Sequence, residues 1–306
     1  MADTLSLQGK TALVTGAGAG LGRSEALALA QAGASVLVND FTDRADEVVA
    51  EIVAAGGQAL AVKGDVSNWA LAQSMVATGV KEFGSFDILV NNAGITRDKM
   101  IFNLTESDWD DVIKVHLKGH AATSAAAAAH WRAASKAADA PVYGRVVNTS
   151  SEAALFGPAG QPNYGAAKAG IIALTLSTSQ GLSRYGVRAN AICPRARTEM
   201  TASVFEGIDQ STGLDALAPE RVAALVQYLA SPASDEITGQ VFVVYGKMVT
   251  LMAAPQIEKT FEAPTGAFDA AELDAQLTTH FKGRGKYETY SAYSIAALEK
   301  PALAVD

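Results

Sequence analysis

The chain has 306 residues, 49% of them hydrophobic, and its 32 acidic and 24 basic side chains give a formal net charge of −8. This hydrophobic share excludes intrinsic disorder for the whole chain, and the length allows one large α/β domain or two small ones. The acidic balance argues against nucleic acid or an anionic membrane surface as a partner.

Cysteine, histidine and terminal sequences narrow the chemistry and the compartment. Cys193 is the only cysteine, so neither an intramolecular disulfide nor a cysteine metal cluster can form. We expect no metal site, because no zinc-motif spacing connects the histidines His116, His120, His130 and His280. The sequence shows no export signal, no run of the ~20 apolar residues that span a membrane, and no peroxisomal signal in its final Ala-Val-Asp. We therefore expect a cytoplasmic protein.

Short apolar runs alternate with helical patterns along the chain. The runs predict strands at 11–15, 35–39, 58–63, 86–90, 145–149, 187–192 and 240–245. The patterns between them predict helices at 21–31, 44–55, 68–83, 106–131, 163–184 and 219–230. Near-continuous apolar strands separated by helices are typical of a parallel sheet covered on both faces. The predicted fold class is α/β, a doubly wound parallel seven-stranded sheet (Rossmann fold) that binds its ligand beyond the carboxyl ends of the strands.

Residues 247–306 stand apart from this alternation. Residues 1–246 hold all the predicted strands, whereas 247–306 show a helical signal only from Asp269 to Phe281. We predict a C-terminal extension that packs on the same domain or on a neighbouring subunit. Its apolar side chains need a surface to cover, and they are Met248, Leu251, Met252, Phe261, Phe268, Phe281, Tyr287, Tyr290 and Tyr293. Because the last strand ends on the ligand side, we expect the extension to cover the substrate cleft; the alternative is a patch that only seals the sheet edge or a subunit interface.

A glycine-rich loop, Thr15-Gly-Ala-Gly-Ala-Gly-Leu-Gly22, joins the first predicted strand to the first helix. Glycines let the chain turn tightly and bring its N–H groups close to a pyrophosphate, and the helix dipole assists. The alternative is a plain strand–helix connection, but the loop lies in an early βαβ unit, as the dinucleotide-binding motif requires. We predict dinucleotide binding by Gly16, Ala19, Gly20, Leu21 and Gly22.

Asp40 ends the second predicted strand, roughly twenty residues after the glycine loop. A carboxylate at this place can accept both ribose hydroxyls of NAD, and it repels the 2′-phosphate of NADP. The alternative is an N-cap for the helix that starts near Arg44, although Thr42 and Asp43 lie nearer to that start. Ala19 occupies the position at which an arginine would bind the 2′-phosphate of NADP. Arg44 is close enough in sequence that NADP remains an alternative cofactor. We predict NAD as the cofactor.

A serine, a tyrosine and a lysine form the candidate catalytic group. Ser151 follows the fifth predicted strand, and Tyr164 and Lys168 are four residues apart in the next helix, where they share one face. A positive neighbour favours ionised tyrosine, so Lys168 is expected to lower the pKa of Tyr164 towards neutrality. Ser151 can hydrogen-bond the substrate oxygen beside the phenol. A Tyr–Lys pair alone also occurs as an exposed helix pair, but with the glycine loop and Asp40 it predicts general acid–base catalysis.

These motifs resemble the short-chain dehydrogenase/reductase family over roughly residues 8–246. The matching segments are the glycine loop, Asp65-Val66, Asn91-Asn92-Ala93-Gly94, Ser151 and the pair Tyr164 and Lys168. The resemblance implies cofactor contacts by Asp65 and Val66 at the adenine, by Asn92, Ala93 and Gly94 along the cleft, by Tyr164 and by Lys168 at the nicotinamide ribose, and by Pro194 and Thr198 at the carboxamide.

Two departures from the family pattern point to a narrower group. His116 stands where the family usually has an asparagine that supports a proton-relay water, and Pro194-Arg195 replaces the usual Pro-Gly. With these changes the chain resembles the (3R)-hydroxyacyl-CoA dehydrogenase unit of peroxisomal multifunctional enzyme type 2 and its free-standing actinobacterial relatives. The latter resemblance implies steroid side-chain CoA thioesters as substrates. His116 is a candidate catalytic residue; the alternative is a core histidine with a backbone partner.

The favoured hypothesis is an NAD-dependent dehydrogenase that oxidises a (3R)-hydroxyacyl-CoA to the 3-oxoacyl-CoA. Tyr164, deprotonated with help from Lys168, would take the hydroxyl proton, and His116 would connect Lys168 through water to solvent. The alternatives are a 3-oxoacyl-carrier-protein reductase, a hydroxysteroid dehydrogenase or, in another class, a non-catalytic NAD-binding protein. The resemblance also implies a homodimer or homotetramer that associates through the helices at 106–131 and 163–184.

Overall fold

The computed structural model describes residues 4–201, 215–264, 266–285, 288–292 and 294–295. The strands in these ranges are β1 (Thr11–Thr15), β2 (Ser35–Asp40), β3 (Gln58–Lys63), β4 (Ile88–Asn91), β5 (Gly144–Thr149), β6 (Val187–Pro194), β7 (Val241–Tyr245) and β8 (Met248–Leu251). They form one sheet in the order β3-β2-β1-β4-β5-β6-β7-β8. β1 to β7 run parallel and β8 is antiparallel to β7. The predicted α/β class is confirmed, but the sheet has an eighth strand that the sequence did not predict.

Helices cover both faces of this sheet. They are α1 (Gly20–Gln31), α2 (Arg44–Ala54), α3 (Trp69–Phe83), α4 (Glu106–Ile113), α5 (Gly119–Ala138), α6 (Ala153–Phe156), α7 (Pro162–Leu182), α8 (Pro219–Ala230), α9 (Ala270–Leu273) and α10 (Thr279–Phe281). Side chains alternate between the faces of a strand, so Val14 packs in one core and Leu13 in the other. The first core includes α1, α2 and α8, and the second includes α3 and α5, with α7 beside α5.

The topology fixes where a ligand can bind. β1 has β2 on one side and β4 on the other, so the order of the strands reverses at this point. Ligands of doubly wound sheets bind in the crevice at such a reversal, beyond the carboxyl ends of the strands. The glycine loop follows β1 directly and therefore lies in this crevice.

The helix predicted at 106–131 runs further and is not uniform. Thr105 and Asp108 form a capping box at its start, which explains why α4 begins at Glu106. A π-helical segment, Lys114–Lys118, then joins α4 to α5. Such wider turns interrupt helices at functional sites more often than elsewhere, and this one contains His116.

The C-terminal extension begins as part of the sheet. Gly246 adopts φ +59°, a conformation that glycine tolerates best, and the short turn here reverses the chain so that Met248 pairs with Tyr245. β8 thereby covers the edge of the sheet at β7. This first part of the extension thus has the role given above as the alternative to covering the substrate cleft. The helical signal predicted from Asp269 to Phe281 is present as α9, a π-helical segment and α10.

A later part of the extension returns to the domain of its own chain. Ser291 Oγ donates to the Phe156 carbonyl at 3.1 Å, and the Ala292 N–H donates to the Leu155 carbonyl at 2.9 Å. Ile295 is buried in an apolar cluster with Cys193, Leu217, Val243 and Tyr245. Tyr287 and Tyr293, two of the predicted covering residues, lie outside the described residues. In the described ranges, no helix is both long and apolar enough to cross a membrane.

Candidate active site

A cleft of about 720 Å³ opens at the carboxyl ends of the parallel strands. The predicted residues that line it are Gly16, Ala19, Gly20, Leu21, Asp40, Asn92, Gly94, His116, Ser151, Tyr164, Lys168, Pro194 and Thr198. The fold thus brings together loops that are far apart in sequence. Four predicted residues do not line the cleft, namely Gly22, Asp65, Val66 and Ala93.

The glycines of the first loop are required by close approaches. A Cβ atom on Gly16 would lie 2.7 Å from the Ala93 Cα, and a Cβ on Gly18 would lie 2.8 Å from the Asp40 carboxylate. A Cβ on Gly22 would lie 2.4 Å from the Gly16 carbonyl oxygen, so Gly22 packs α1 on the loop instead of facing the cleft. No side chain caps the N-terminus of α1, which leaves backbone N–H groups for an anionic ligand. This cradle fits the pyrophosphate of a dinucleotide.

Asp40 is held in place beside the glycine loop. Its Oδ2 accepts the Gly18 N–H at 2.9 Å, and its Oδ1 accepts the N–H and the hydroxyl of Thr42. α2 begins only at Arg44, so the alternative of an N-cap role for Asp40 is excluded. The Arg44 guanidinium pairs at 2.9 Å with the Glu199 carboxylate across the cleft entrance. Asp40 therefore places a carboxylate directly against the glycine loop, and Arg44 already has an acidic partner.

Asp65 and Val66 lie beside the cleft and not in its wall. Burial opposes ionisation of Asp65, but hydrogen bonds from Lys114 and Ser67 outweigh it and lower the pKa of Asp65 to about 2. Lys114 Nζ lies 2.8 Å from the Asp65 carboxylate. Val66 packs against Gly119, where a Cβ would lie 2.8 Å from Val66 Cγ1. Contact of these two residues with an adenine stays a prediction.

Ser151 and Tyr164 meet at the carboxyl end of β5. The Ser151 side chain lies near the Tyr164 phenol, and Ser151 Oγ accepts the Ala153 N–H at 3.1 Å. The start of α6 therefore fixes Ser151. Desolvation raises the pKa of Tyr164 to about 12, although the nearby Ser151 hydroxyl acts in the opposite direction. We expected Lys168 to lower the pKa of Tyr164, but in this structure the pKa is raised, because desolvation of the phenol is the largest effect on it.

Lys168 lies one helical turn after Tyr164 and is buried. Its ammonium group donates to the Thr149 carbonyl at 2.6 Å, and Nζ lies 5.4 Å from the centroid of the Tyr164 ring. Burial lowers the pKa of Lys168 to about 7, while Cys193 and Glu25 act in the opposite direction. Lys168 can therefore accept or release a proton near neutral pH.

His116 lies in the π-helical segment and is buried. Its Nε2 lies 2.7 Å from the carbonyl oxygen of Ile95 and 3.0 Å from the backbone nitrogen of Ile95. Its ring meets the Tyr164 ring edge-on, with 5.2 Å between centroids. Burial and the charge of Lys168 keep the pKa of His116 well below its usual range, so the ring is neutral. His116 has the backbone partner of the structural alternative, and its relay role stays a prediction.

Two buried groups near Lys168 were not predicted. His120 lies one helical turn after His116 and is buried, and this burial lowers its pKa to about 3. Glu25 in α1 is fully buried, and burial raises its pKa to about 8 against the attraction of Lys168. The four-residue spacing from His116 was a signal for His120. Nothing in the sequence marks Glu25.

Asn91 and Cys193 are buried next to the site and have structural roles. Asn91 bridges β4 to β5, because its amide donates to the Asn148 side chain at 2.9 Å. Cys193 is fully buried, and burial raises the pKa of its thiol to about 12. Neither residue lines the cleft. Both residues therefore stabilise the fold, Asn91 through side chains and not through backbone groups of the strands.

The fold and the site are those of a known enzyme family. The family model described as short chain dehydrogenase matches residues 10–209. The chain therefore belongs to the short-chain dehydrogenase family, and it is an oxidoreductase that acts on a CH–OH group with a nicotinamide cofactor.

Individual relatives agree with this assignment. The hydroxyacyl-CoA dehydrogenase ChsB1 of Mycobacterium tuberculosis is 53% identical over 299 residues, which are 95% of this chain and 94% of that protein. The peroxisomal hydratase-dehydrogenase-epimerase of Neurospora crassa is 40% identical over 256 residues, 80% of this chain but 27% of that longer protein. A crystal structure of a short chain dehydrogenase from Mycobacterium avium has a TM-score of 0.82 and 42% identity, and the match covers 94% of this chain and 99% of that one. The predicted family resemblance is confirmed.

Proposed function

We propose that this protein oxidises a (3R)-hydroxyacyl-CoA to the 3-oxoacyl-CoA, with NAD as the cofactor. The observation that carries the proposal is the group Ser151, Tyr164 and Lys168 beside a glycine cradle. A phenol that shares the cleft with a serine and lies next to a lysine with a pKa of about 7 is suited to remove a proton from an alcohol. Similarity to a hydroxyacyl-CoA dehydrogenase supports this type of alcohol as the substrate.

In this proposal the substrate proton leaves through Tyr164. The phenol oxygen takes the hydroxyl proton, and the phenol proton moves towards Lys168. Because the pKa of Lys168 is about 7, a large share of its amine is neutral and able to accept a proton at physiological pH. NAD supplies the hydride acceptor when it is bound in the cleft.

Ser151 orients the reacting oxygen. Its hydroxyl is fixed by the Ala153 N–H and lines the same cleft as Tyr164, so a substrate oxygen bound to Ser151 lies beside the phenol. A preorganised donor of this kind also stabilises negative charge that develops on the oxygen.

His116 is proposed to extend the proton path from Lys168 towards solvent. Its Nδ1 has no hydrogen-bond partner among the described residues, which leaves it free to bind a water molecule. His116 and Lys168 line the same cleft, so a chain of water molecules there can connect them.

NAD is favoured over NADP by the charge beside the ribose position. Asp40 presents a carboxylate next to Gly18, and a 2′-phosphate there would be repelled. This argues against a 3-oxoacyl-carrier-protein reductase, which usually uses NADPH. An acyl chain from a steroid side chain is the proposed bulky substrate, and Ser291 and Ala292 support this by closing on the α6 end of the cleft.

Two further expectations accompany the proposal. We expect a cytoplasmic homodimer or homotetramer that associates through α4, α5 and α7. Trp109 on α4 and Leu176 on α7 are each 39% exposed, which supports burial of these faces against another copy. Light scattering of the purified protein measures the oligomeric state.

An assay of NADH formation tests the proposed function. The panel contains (3R)- and (3S)-hydroxyacyl-CoAs with short, long and steroid side-chain acyl groups, and ring-hydroxyl steroids as a contrast. We expect NADH from the (3R) thioesters alone. Turnover of ring hydroxyls only, or of the (3S) series equally, would contradict the proposal. No NADH with any alcohol would favour a non-catalytic NAD-binding protein.

A further inference from the structure

We propose that Arg195 is a positioning residue that holds Ser151 in place for the reaction, through a buried ion pair with Glu152. The inference rests on the proposed function, since it assigns Ser151 to the substrate oxygen. Arg195 stands where the family usually has glycine, so the family pattern gives it no role.

The ion pair between Arg195 and Glu152 is largely buried and has two hydrogen bonds, unlike a typical ion pair on a protein surface. Arg195 Nε donates to Glu152 Oε2, and a terminal nitrogen donates to Glu152 Oε1 at 2.8 Å. The Arg195 side chain is 13% exposed and the Glu152 side chain 8%. Two parallel hydrogen bonds between a guanidinium and a carboxylate fix both distance and orientation.

The sheet anchors the arginine side of this contact. The Arg195 N–H donates to the Val244 carbonyl at 3.0 Å, which continues the pairing of β6 with β7 by one residue. The guanidinium lies over the Tyr245 ring, 4.5 Å from its centroid, and Tyr245 is fully buried. Arg195 is therefore held from the backbone and from the ring before it reaches Glu152.

The glutamate side of the contact belongs to the loop that carries Ser151. Glu152 follows Ser151 directly, and its carbonyl accepts the N–H groups of Leu155 and Phe156 at the start of α6. α6 has only four residues, so its own hydrogen bonds stabilise it little. Fixing Glu152 to the sheet through Arg195 thus fixes the backbone that sets the position of Ser151.

The consequence for the reaction is one of geometry. A shift of about 1 Å in a group that positions the substrate can reduce turnover about 100-fold. Without Arg195 the Glu152 carboxylate would be a buried charge with a lost partner and would turn towards water, and the loop would follow it. We therefore expect a fall in kcat and little change in NADH binding, because the glycine loop and Asp40 are untouched.

The chain contains a matched control for this change. Arg145 at the amino end of β5 pairs with Asp235 at 2.9 Å and lies over the Tyr143 ring at 4.1 Å, at the opposite ends of the parallel strands from the cleft. Arg145→Gln therefore removes a buried arginine with a carboxylate partner and an aromatic contact away from the cleft, although Asp235 is more exposed than Glu152. We expect it to lower Tm and to leave kcat unchanged.

The test combines Arg195→Gln with Ser151→Ala in a double-mutant cycle. In the wild-type background we expect Arg195→Gln to lower kcat about tenfold or more, with the Kd for NADH changed less than about twofold. In the Ser151→Ala background we expect a further loss of less than about twofold, because the residue to be positioned is already absent. An equal loss in both backgrounds, or an unchanged kcat in the wild-type background, overturns the proposal.

A second measurement needs no substrate and so separates this proposal from the proposed function. Amide hydrogen exchange in the segment 152–157 should be faster in Arg195→Gln than in wild type, and unchanged in Arg145→Gln. Unchanged exchange in Arg195→Gln overturns the proposal even when the enzyme oxidises another alcohol. If Arg195→Gln does not fold, Arg195→Lys retains the charge without the paired donors, and the same expectations apply to it.

Discussion

The cofactor side and the substrate side of the cleft are built on different principles. On the cofactor side, Gly16 and Gly18 lie where any side chain would collide with Ala93 or Asp40. On the substrate side, Arg195 meets Glu152 from another loop, and Ala292 meets Leu155 from the far end of the chain. Exclusion of side chains therefore shapes the first region, whereas hydrogen bonds and an ion pair between separate loops shape the second.

Because of this difference, the sequence identifies the ligand of the first region more closely than the ligand of the second. A glycine loop between a strand and a helix restricts the ligand to something thin and anionic, so the cofactor class follows from it. The substrate side follows from loops that vary in sequence and length, so the class of acyl group does not follow from it. We expect substitutions at the catalytic centre, which both regions share, to have the largest effects, and substitutions far from it the smallest.

Tyr164→Phe should have the largest effect. The phenol hydroxyl is the proposed proton acceptor, and loss of general acid–base catalysis costs about 10²–10⁴ in kcat. NADH binding should survive, since the glycine loop and Asp40 remain. Steady-state kinetics and a fluorescence titration with NADH measure both quantities. Near-normal turnover would remove Tyr164 from the mechanism.

Asp40→Ala tests the cofactor side alone. Hydrogen bonds to a charged group contribute about 1.5–3 kcal/mol, so NAD should bind about 10–100-fold more weakly. NADP should lose less or gain, because the repelling charge is gone and Arg44 stays nearby. The ratio of kcat/KM for the two cofactors measures the change. An unchanged ratio would mean that another residue reads the ribose.

The pH dependence of oxidation should report Lys168. Its pKa of about 7 means that the neutral amine, the form that accepts the proton, is lost as the pH falls below 7. The rate of oxidation should therefore rise about tenfold per pH unit below 7 and level off above it. The reverse reduction should lose rate as the pH rises through the same range. A flat profile between pH 5.5 and 8 contradicts this assignment.

The sequence predicted most of the fold for a physical reason. Every parallel strand was predicted within a few residues, because strands covered on both faces are largely apolar and the edge strand β3 follows the same alternation with helices. β8 was missed, since no helix separates it from β7 and its residues are half-buried or exposed in alternation. Its pairing with β7 depends on the turn at Gly246, which the sequence alone does not distinguish from a loop.

The sequence predicted those site residues whose positions follow from their spacing within a helix or from their place at the end of a strand. Tyr164 and Lys168 share a helix face, and Ser151 follows a strand, so their meeting follows from the fold class. The direction of the Tyr164 pKa was not predictable, since desolvation depends on all the atoms that surround the phenol. Glu25 was missed for the same reason, because its burial against Lys168 involves elements that are far apart in sequence.

His116→Asn tests a residue on the border between the two regions. The change restores the residue usual in the family and removes the contact between His116 Nε2 and the Ile95 backbone. One neutral hydrogen bond contributes about 1 kcal/mol to stability, so the variant should be slightly less stable, and we expect partial activity because asparagine is the residue that supports a relay water in the family. Kinetics and a thermal melt separate a lost role from a lost fold. Complete inactivity with an unchanged Tm would assign His116 a direct role in the reaction.

The extension should have the smallest effect, and one that depends on the substrate. Because β8 belongs to the sheet, the informative truncation ends the chain at Met252, whose N–H still donates to the Val241 carbonyl. Without the contacts of Ser291 and Ala292 with α6, the extension should no longer cover the end of a long acyl chain. KM for long or steroid side-chain acyl-CoA should then rise about fourfold, the effect of exposing about one methylene group of the substrate. KM for a short acyl-CoA should hardly change.

A point variant makes this test local. Ala292→Pro removes the N–H that donates to the Leu155 carbonyl, whereas Gln256→Pro changes an exposed residue of the same extension and serves as the control. Only Ala292→Pro should reproduce the selective rise in KM. The extension has no part in substrate selection if the folded truncation loses both substrates equally or neither. Selective loss in both proline variants would assign the effect to the extension as a whole, not to its contact with α6.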